Sequence, residues 1–426
     1  MPGLEIDCSR PGLILVTGPN GSGKSGAARE LAARTPGAQL LSAESQQAFY
    51  EAQLAADESN FQEATDYGST VGELLGEAGR NHPLLAALRL ESLWQRGYRV
   101  LSTGEGRKVL LLQAVLRAPS LLILDDPFEG LDRASCAELA HAIVQASLSL
   151  PVVVIGSFSP DHLPFAAEAV RQTLVLGQPR RGAISKPPPV DLGSWYEPLD
   201  PQVPLVDLVQ GRVCYGEQVV FESLDFRVAA GQHTLIEGPN GSGKSTLLDM
   251  LTGDHPQAYS NELHLFGRRR GSGETVWEIK KNIGAVSARL HRDYRVGGSV
   301  EEVLLSGLYD SIGIYQKPEP SHRTRARAWL EWLELGVPPN AAFRELSFGQ
   351  QRLVLIARAA IKVPPLVVLD EATSGLDPDN RARALELAAS LCSQRKSTVL
   401  MVTHRADERA FWQTRIGGAI LSLTLR

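Results

Sequence analysis

The sequence predicts an α/β fold made of two tandem copies of one module, each with a mainly parallel sheet. The string GPNGSGKS occurs twice, at residues 18–25 and 238–245, and each copy follows an apolar run and precedes a helix-compatible segment. In both copies, 23 positions separate the serine of an LSxG string (LSTG, LSFG) from the aspartate that ends a second apolar run (LLILD, LVVLD). Because motif order and spacing recur over so long a period, the chain is a duplicated module and not a solenoid.

Length and composition fit a soluble globular chain of two or three domains. The chain has 426 residues, 43% of them hydrophobic and 21% charged, and its formal net charge is −5. Its longest apolar stretches, such as VLLLQAVL, fall short of the ~18 residues that a membrane-spanning helix needs. The N-terminal segment lacks the basic start and apolar block of a secretory signal. We therefore expect a cytoplasmic protein, and the acidic balance argues against a nucleic-acid partner.

Module one is a shortened version of module two. Lys24 and Ser102 are 78 positions apart, whereas Lys244 and Ser347 are 103 positions apart. The segment between the modules carries seven prolines, which predicts an extended, semi-stiff linker. The predicted organisation is a shortened first domain at 1–177, a proline-rich linker at 178–204 and a second domain at 205–426.

The two GPNGSGKS strings carry the residues expected to hold a nucleoside triphosphate. Glycines in this pattern turn backbone N–H groups toward phosphates, the lysine reaches the β- and γ-phosphates, and the serine ligates Mg²⁺ with a strand-terminal aspartate. An aspartate that only caps a turn is the structural alternative. The predicted phosphate-binding residues are Gly18, Pro19, Asn20, Gly21, Ser22, Gly23, Lys24 and Ser25 in module one, and Gly238, Pro239, Asn240, Gly241, Ser242, Gly243, Lys244, Ser245 and Thr246 in module two. The predicted Mg²⁺ ligands are Ser25, Asp125, Ser245 and Asp370.

The residue after each of these aspartates is the candidate general base. Glu371 would orient water for attack on the γ-phosphate, and module one has Asp126 there, whose shorter side chain withdraws the carboxylate. His404 ends another apolar run and could bridge the γ-phosphate and the base, although a histidine at a strand end is often structural. Module one offers Ser157 at that place. We predict Glu371, His404 and Asp126 as catalytic residues, with most hydrolysis in module two.

Together these motifs resemble those of the ATP-binding cassette (ABC) ATPases, and the resemblance covers nearly the whole chain. LSTGE and LSFGQ are similar to that family's signature, usually LSGGQ, which separates it from other phosphate-loop ATPases. The resemblance implies ATP hydrolysis with Mg²⁺, and an intramolecular head-to-tail pair in which each phosphate loop faces the other module's signature. It also implies that Tyr215 stacks on adenine. The family's glutamine is expected near Ser287 or Ala288 and is absent there, while Gln46 is a candidate equivalent in module one.

In the implied head-to-tail pair, the signature residues of one module complete the site of the other. Site one would join Lys24, Ser25, Asp125 and Asp126 to Ser347, Gly349 and Gln350. Site two would join Lys244, Ser245, Asp370, Glu371 and His404 to Ser102, Gly104 and Glu105.

A finer resemblance lies in two segments of module two, residues 252–281 and 307–316 (GLYDSIGIYQ). They are similar to the tandem-cassette group called ModF, the molybdenum-transport or photorepair ATP-binding proteins. This resemblance implies the energy-coupling component of molybdate transport, peripheral at the inner face of the plasma membrane and bound to a permease subunit. The alternative is a soluble ABC ATPase that acts on a protein or nucleic acid. The shortening of module one argues against two symmetric permease-binding grooves between helical and core subdomains.

One basic cluster stands out, RRR at residues 268–270 with KK at 280–281. A solvated loop is the simpler interpretation, and contact with an acidic partner or a nucleic-acid backbone is the alternative.

Overall fold

A computed structural model of the chain divides into two compact units, Met1–Arg180 and Arg181–Arg426, which hold module one and module two. The described residues are 6–18, 22–55, 67–117, 120–128, 131, 133–156, 165–176, 202–216, 218–239, 241–287, 290–291, 294, 297–393 and 397–422. Almost the whole predicted linker, 178–201, lies outside them, so its bounds stay a prediction.

Module one is a five-stranded parallel sheet with helices on both faces. The sheet has the order β2-β3-β4-β1-β5. Its strands are β1 (Gly12–Thr17), β2 (Ala38–Leu41), β3 (Leu121–Asp125), β4 (Pro151–Gly156) and β5 (Val170–Val175). Its helices are α1 (Lys24–Arg34), α2 (Ala43–Ala55), α3 (Val71–Arg80), α4 (Pro83–Ala87), α5 (Thr103–Leu116) and α6 (Arg133–Ser147).

Module two repeats that sheet and adds a second one. The parallel sheet has the order β11-β12-β13-β8-β14, and an antiparallel sheet has the order β10-β9-β6-β7. The strands are β6 (Val206–Tyr215), β7 (Gln218–Val228), β8 (Thr234–Glu237), β9 (Glu262–Leu265), β10 (Arg268–Arg269), β11 (Ile283–Val286), β12 (Leu366–Asp370), β13 (Thr398–Val402) and β14 (Ala419–Ser422). The helices are α7 (Lys244–Thr252), α8 (Val276–Lys281), α9 (Val300–Ser306), α10 (Pro320–Leu333), α11 (Phe348–Ala360), α12 (Pro378–Ser393) and α13 (Ala406–Phe411).

The parallel sheets are buried on both faces, which explains why their central strands are continuous apolar runs. In β1, Leu13 and Leu15 pack in the core beneath α5 and α6, while Ile14 and Val16 pack against Ala28 of α1. The loops that carry the predicted site residues follow β1, β3, β8, β12 and β13 at their carboxyl ends. All of these strands are parallel, so each module gathers its site residues at one edge of its sheet.

Strand pairing locates the residues that module one lacks. β2 pairs with β3 as β11 pairs with β12, so Ser42 and Ser287 are equivalent first residues after the edge strand. Ser102 follows Ser42 by 60 positions, and Ser347 follows Ser287 by 60 positions. The shortening therefore falls before the edge strand, where module two places β9, β10 and α8. The expectation that module one loses part of the groove beside the helical subdomain is wrong, because that segment has full length in both modules.

The basic cluster of residues 268–270 and 280–281 is only partly a solvated surface. Arg270 is 3% exposed, its Nη1 lies 2.6 Å from Glu274 Oε1, and its guanidinium stacks 4.7 Å from the centroid of the Tyr259 ring. Lys280 Nζ lies 2.6 Å from Asp254 Oδ1. Two of the five charges are thus already paired within the module, which weakens the case for an acidic partner there.

Candidate active site

Both phosphate loops have the strand–loop–helix geometry that binds an anion. Helices α1 and α7 begin at the lysines, and neither has a side-chain cap at its N-terminus. Lys24 Nζ donates to Gly18 O at 2.6 Å, and Lys244 Nζ donates to Gly238 O at 2.9 Å and to Pro239 O at 2.7 Å. Each buried ammonium is therefore held over its own loop, beside helix-terminal N–H groups that favour negative charge. Pro19, Asn20, Gly21 and Asn240 lie outside the described residues.

The predicted Mg²⁺ ligands lie together in each module. Ser25 hydrogen-bonds to Asp125, and Ser245 hydrogen-bonds to Asp370. In both aspartates Oδ1 is buried without a hydrogen-bond partner. Burial raises the pKa of Asp125, and burial together with the Glu371 carboxylate raises the pKa of Asp370 to about 6.

These residues fit a magnesium ion. An orphaned carboxylate oxygen next to a serine hydroxyl is an oxygen donor set that a hard cation would satisfy. Among the described residues no group of three or more His, Cys, Asp or Glu could hold a metal ion. A cation at this edge would therefore complete its sphere with phosphate and water oxygens, as Mg²⁺ commonly does.

The predicted base and histidine of module two are in contact. His404 Nε2 and Glu371 Oε1 are 2.9 Å apart, and both side chains are largely buried. Glu371 and Asp126 have left-handed φ values of 47° and 48°, a costly backbone state that non-glycine residues adopt mostly where the surrounding structure imposes it. The N–H of Glu371 donates to Val402 O, and the N–H of Asp126 donates to Ile155 O.

Glu371 and Asp126 therefore have the same backbone geometry and differ in the side chain. Asp126 presents its carboxylate one methylene closer to the chain than Glu371 does. Ser157, the predicted counterpart of His404, lies outside the described residues.

Each signature string begins a helix with a closed capping box. Ser102 Oγ accepts from the N–H of Glu105 at 3.3 Å, and Glu105 Oε2 accepts from the N–H of Ser102 at 2.8 Å. Ser347 and Gln350 make the same two contacts at 3.3 and 3.0 Å. Each serine accepts through its oxygen, so its hydroxyl hydrogen can still be donated to a ligand.

The signature glycines and the fifth signature position differ in their surroundings between the modules. Gly349 is buried, and a Cβ at Gly104 would lie 3.2 Å from a methyl group of Leu131. Gln350 Nε2 donates to Leu335 O at 2.8 Å, whereas the Glu105 carboxylate lies 3.8 Å from Arg96 Nη1. The Glu-for-Gln difference between the modules therefore changes an amide contact into an ion pair.

Tyr215, the predicted adenine-stacking residue, ends β6 with 57% of its surface exposed. The hairpin that follows it reaches the phosphate loop, because a Cβ at Gly243 would lie 2.7 Å from Val220 Cγ1. His255, which the sequence did not single out, holds the tyrosine. The N–H of Gln257 donates to His255 Nδ1 at 3.2 Å, so the hydrogen of the ring lies on Nε2, which donates to Tyr215 Oη at 2.9 Å.

Strand register settles which residues follow the edge strands. Ser287 and Ser42 each accept from the N–H three residues on, Leu290 and Ser45. Gln46 lies four residues beyond Ser42. Its Oε1 accepts a hydrogen bond from Arg107 Nε at 3.1 Å. Gln46 therefore does not occupy the position of Ser287, and no glutamine follows either edge strand directly.

A family model and a curated relative both match this chain and agree on its family. The family model described as ABC transporter matches residues 2–129 and 221–374. The ABC transporter ATP-binding protein ModF of Escherichia coli (strain K12) is 40% identical over 92% of this chain and 88% of that protein. Within the part of the chain that the structure describes, no helix is long and apolar enough to cross a membrane.

Two solved structures share the fold across both modules. An RNase-L inhibitor has a TM-score of 0.52 at 21% identity and covers 94% of this chain and 83% of that one. The archaeal ribosome recycling factor aABCE1, solved with the ribosomal stalk protein aP1, has a TM-score of 0.51 at 21% identity and covers 94% and 81%. The match to the family model and the 40% identity to ModF identify the chain as a member of the ABC transporter ATP-binding family, an ATPase that binds and hydrolyses ATP.

Proposed function

We propose that hydrolysis takes place mainly at the phosphate loop of module two. Lys244 would hold the β- and γ-phosphates, and Ser245 and Asp370 would hold Mg²⁺, which supplies charge neutralisation on the phosphate oxygens. Glu371 would accept a proton from the attacking water, and His404, 2.9 Å away, would keep that carboxylate aligned. The Glu371–His404 contact is the observation that supports this assignment most directly.

Module one would bind Mg–ATP through Lys24, Ser25 and Asp125 and hydrolyse it slowly. Its contact from Lys24 Nζ to Gly18 O and its orphaned Asp125 oxygen match those of module two. Asp126 has the backbone of Glu371 but not its reach. A displacement of about 1 Å from the in-line position is enough to cost ~10²-fold in rate.

We infer further that each site is composite. Ser102, Gly104 and Glu105 would complete the site of module two, and Ser347, Gly349 and Gln350 would complete that of module one. The support lies in the closed capping boxes, which leave both serine hydroxyls able to donate to a phosphate. Covalent tethering would raise the effective concentration of one module for the other to ~mM.

For the biological role, we propose the energy-coupling component of a molybdate transport system, peripheral at the inner face of the plasma membrane. The 40% identity to ModF over 92% of the chain supports this role. The full length of the helical segment in both modules is compatible with a permease partner on each.

The test is a tagged pull-down from membranes extracted with mild detergent, made with wild type and with Glu371→Gln. Glu371→Gln should retain ATP and therefore stabilise any complex that depends on bound nucleotide. Recovery of permease subunits with Glu371→Gln above the wild-type level supports the transport role. Recovery of ribosomes, DNA or a soluble protein in their place would reject it in favour of a soluble ABC ATPase.

A further inference from the structure

Arg352 lies on α11, five positions after the signature residue Ser347, and is 1% exposed. Its guanidinium donates to three backbone carbonyls, each at 2.8 Å. Nε donates to Ala372 O, Nη2 to Glu371 O and Nη1 to Ser287 O. A planar guanidinium offers its donors in fixed directions, so three such contacts define the relative position of the groups that it joins.

Two of these carbonyls belong to the catalytic loop. They are the peptide oxygens of Glu371 itself and of the next residue, Ala372. Glu371 has a φ of 47°, a conformation that costs a non-glycine residue free energy and must be held by its surroundings. Contacts on two successive peptides fix the direction in which the Glu371 side chain leaves the backbone.

The third carbonyl belongs to Ser287, the first residue after the edge strand β11. Arg107 occupies the equivalent place in module one, five positions after Ser102. Its Nη1 donates to Pro127 O at 2.9 Å, and its Nε donates to the side chain of Gln46 at 3.1 Å. Both modules thus use an arginine of the signature helix to join the loop of the catalytic carboxylate to the segment that follows the edge strand, at Ser287 in module two and at Gln46 of α2 in module one.

We propose that Arg352 is a positioning residue for hydrolysis: it holds the backbone of Glu371 in place from the signature helix. This inference rests on the proposed role of Glu371 as the base. Arg352 touches the catalytic loop through its main chain, so its loss should displace the carboxylate without removing it. The effect should therefore fall on kcat, with ATP binding at the phosphate loop retained.

Arg358 offers a matched control on the same helix. Its Nε donates to Ser306 Oγ and its Nη2 to Ser311 O, both at 2.8 Å, and it lies over the Tyr294 ring. Arg358 is buried like Arg352, but its contacts go to the helical side of the module, away from the catalytic loop. Loss of either arginine should lower stability, and only loss of Arg352 should change the chemistry.

The experiment measures kcat, KM for ATP and urea unfolding for Arg352→Ala, Arg352→Lys, Arg358→Ala and Glu371→Gln in the full chain. We expect Arg352→Ala to lose ~10²-fold in kcat with KM within ~3-fold of wild type. Arg352→Lys keeps the positive charge but lacks the planar guanidinium with its several donors, and should lose ~10-fold in kcat. Arg358→Ala should keep kcat per folded molecule within ~3-fold.

The outcomes distinguish the positioning role of Arg352 from the role of Glu371 as the base, on which it rests. If Glu371→Gln is inactive while Arg352→Ala keeps wild-type kcat, the positioning role of Arg352 is rejected and the role of Glu371 as the base is retained. Turnover in Glu371→Gln well above the ~1% expected from module one would reject Glu371 as the base, and with it the positioning role of Arg352. Equal losses of kcat in Arg352→Ala and Arg358→Ala would show that the arginine acts only through stability. If Arg352→Ala does not fold, wild-type kcat in Arg352→Lys would overturn the proposal.

Discussion

The most direct test of unequal sites is a pair of single substitutions, Glu371→Gln and Asp126→Asn. Each replaces a carboxylate by its isosteric amide, so the shape of the loop is kept and the proton acceptor is removed. Removing a positioned acid–base group typically costs ~10²- to 10⁴-fold at its own site. How far total turnover falls then depends on how the two sites share it.

The geometry of the two sites gives the share of turnover that we expect from each. Glu371 and Asp126 have φ values within one degree of each other, and their N–H groups bond to equivalent strands. The two sites therefore differ in the length of the carboxylate side chain, by one methylene, and in the His404 contact, which is 2.9 Å long in module two. A withdrawal of about 1 Å corresponds to ~10²-fold in rate, so site one should carry about one hundredth of the turnover. Glu371→Gln should thus leave on the order of 1% of wild-type activity, and Asp126→Asn should lose at most a few-fold.

The assay is steady-state phosphate release at saturating ATP, with the two purified variants beside wild type and their double variant. ATP retained on the protein after rapid desalting provides a second readout, and Glu371→Gln should retain the most. If Asp126→Asn were as inactive as Glu371→Gln, the unequal-site model would be wrong, and site one would be an equal contributor to turnover.

Three further predictions concern the signature serine, the adenine-stacking tyrosine and the metal-binding aspartate. Ser102→Arg should block hydrolysis at site two although it lies in module one, and a wild-type rate would reject the head-to-tail pair. Tyr215→Ala should raise KM for ATP several-fold with kcat unchanged, and an unchanged KM would count against adenine stacking. The folded-state pKa of Asp370, about 6, exceeds the ordinary 3.8, so its stability contribution is present at low pH and is lost as pH rises through 6. Asp370→Asn should therefore raise the free energy of unfolding of the nucleotide-free protein by up to about 3 kcal/mol near pH 7.5 and by about half of that near pH 5, while Mg²⁺-dependent hydrolysis is lost. Equal gains in urea unfolding at the two pH values would contradict the buried-carboxylate argument.

Motif order and spacing were enough to predict the α/β fold, the two parallel sheets and the strand ends that carry the acidic residues. Each of those motifs is a contiguous string whose chemistry depends on local backbone, as with Lys244 at the start of α7. The contact between Glu371 and His404 was also foreseeable, because parallel strands bring their carboxyl ends to one edge.

Features that depend on strand register or on contacts between distant segments could not be predicted. The equivalence of Ser42 and Ser287 comes from strand pairing, and without it the shortening of module one was misplaced. Arg352 looked like any charge after a signature string, and only its burial and its reach over 65 positions to Ser287 reveal its contacts. Arg270 was grouped with surface charges because sequence adjacency does not show that its ion pair with Glu274 is internal.

The capping boxes at Ser102 and Ser347 have a consequence for how nucleotide could drive a motion. Because each serine and its third neighbour already satisfy one another's N–H groups, the first turn of the signature helix is ordered before any phosphate arrives. In the proposed composite site, a nucleotide at such a helix would meet a preorganised donor, and none of its binding free energy would be needed to order that donor. That free energy would then remain available to move, as a rigid body, the segment that the helix carries.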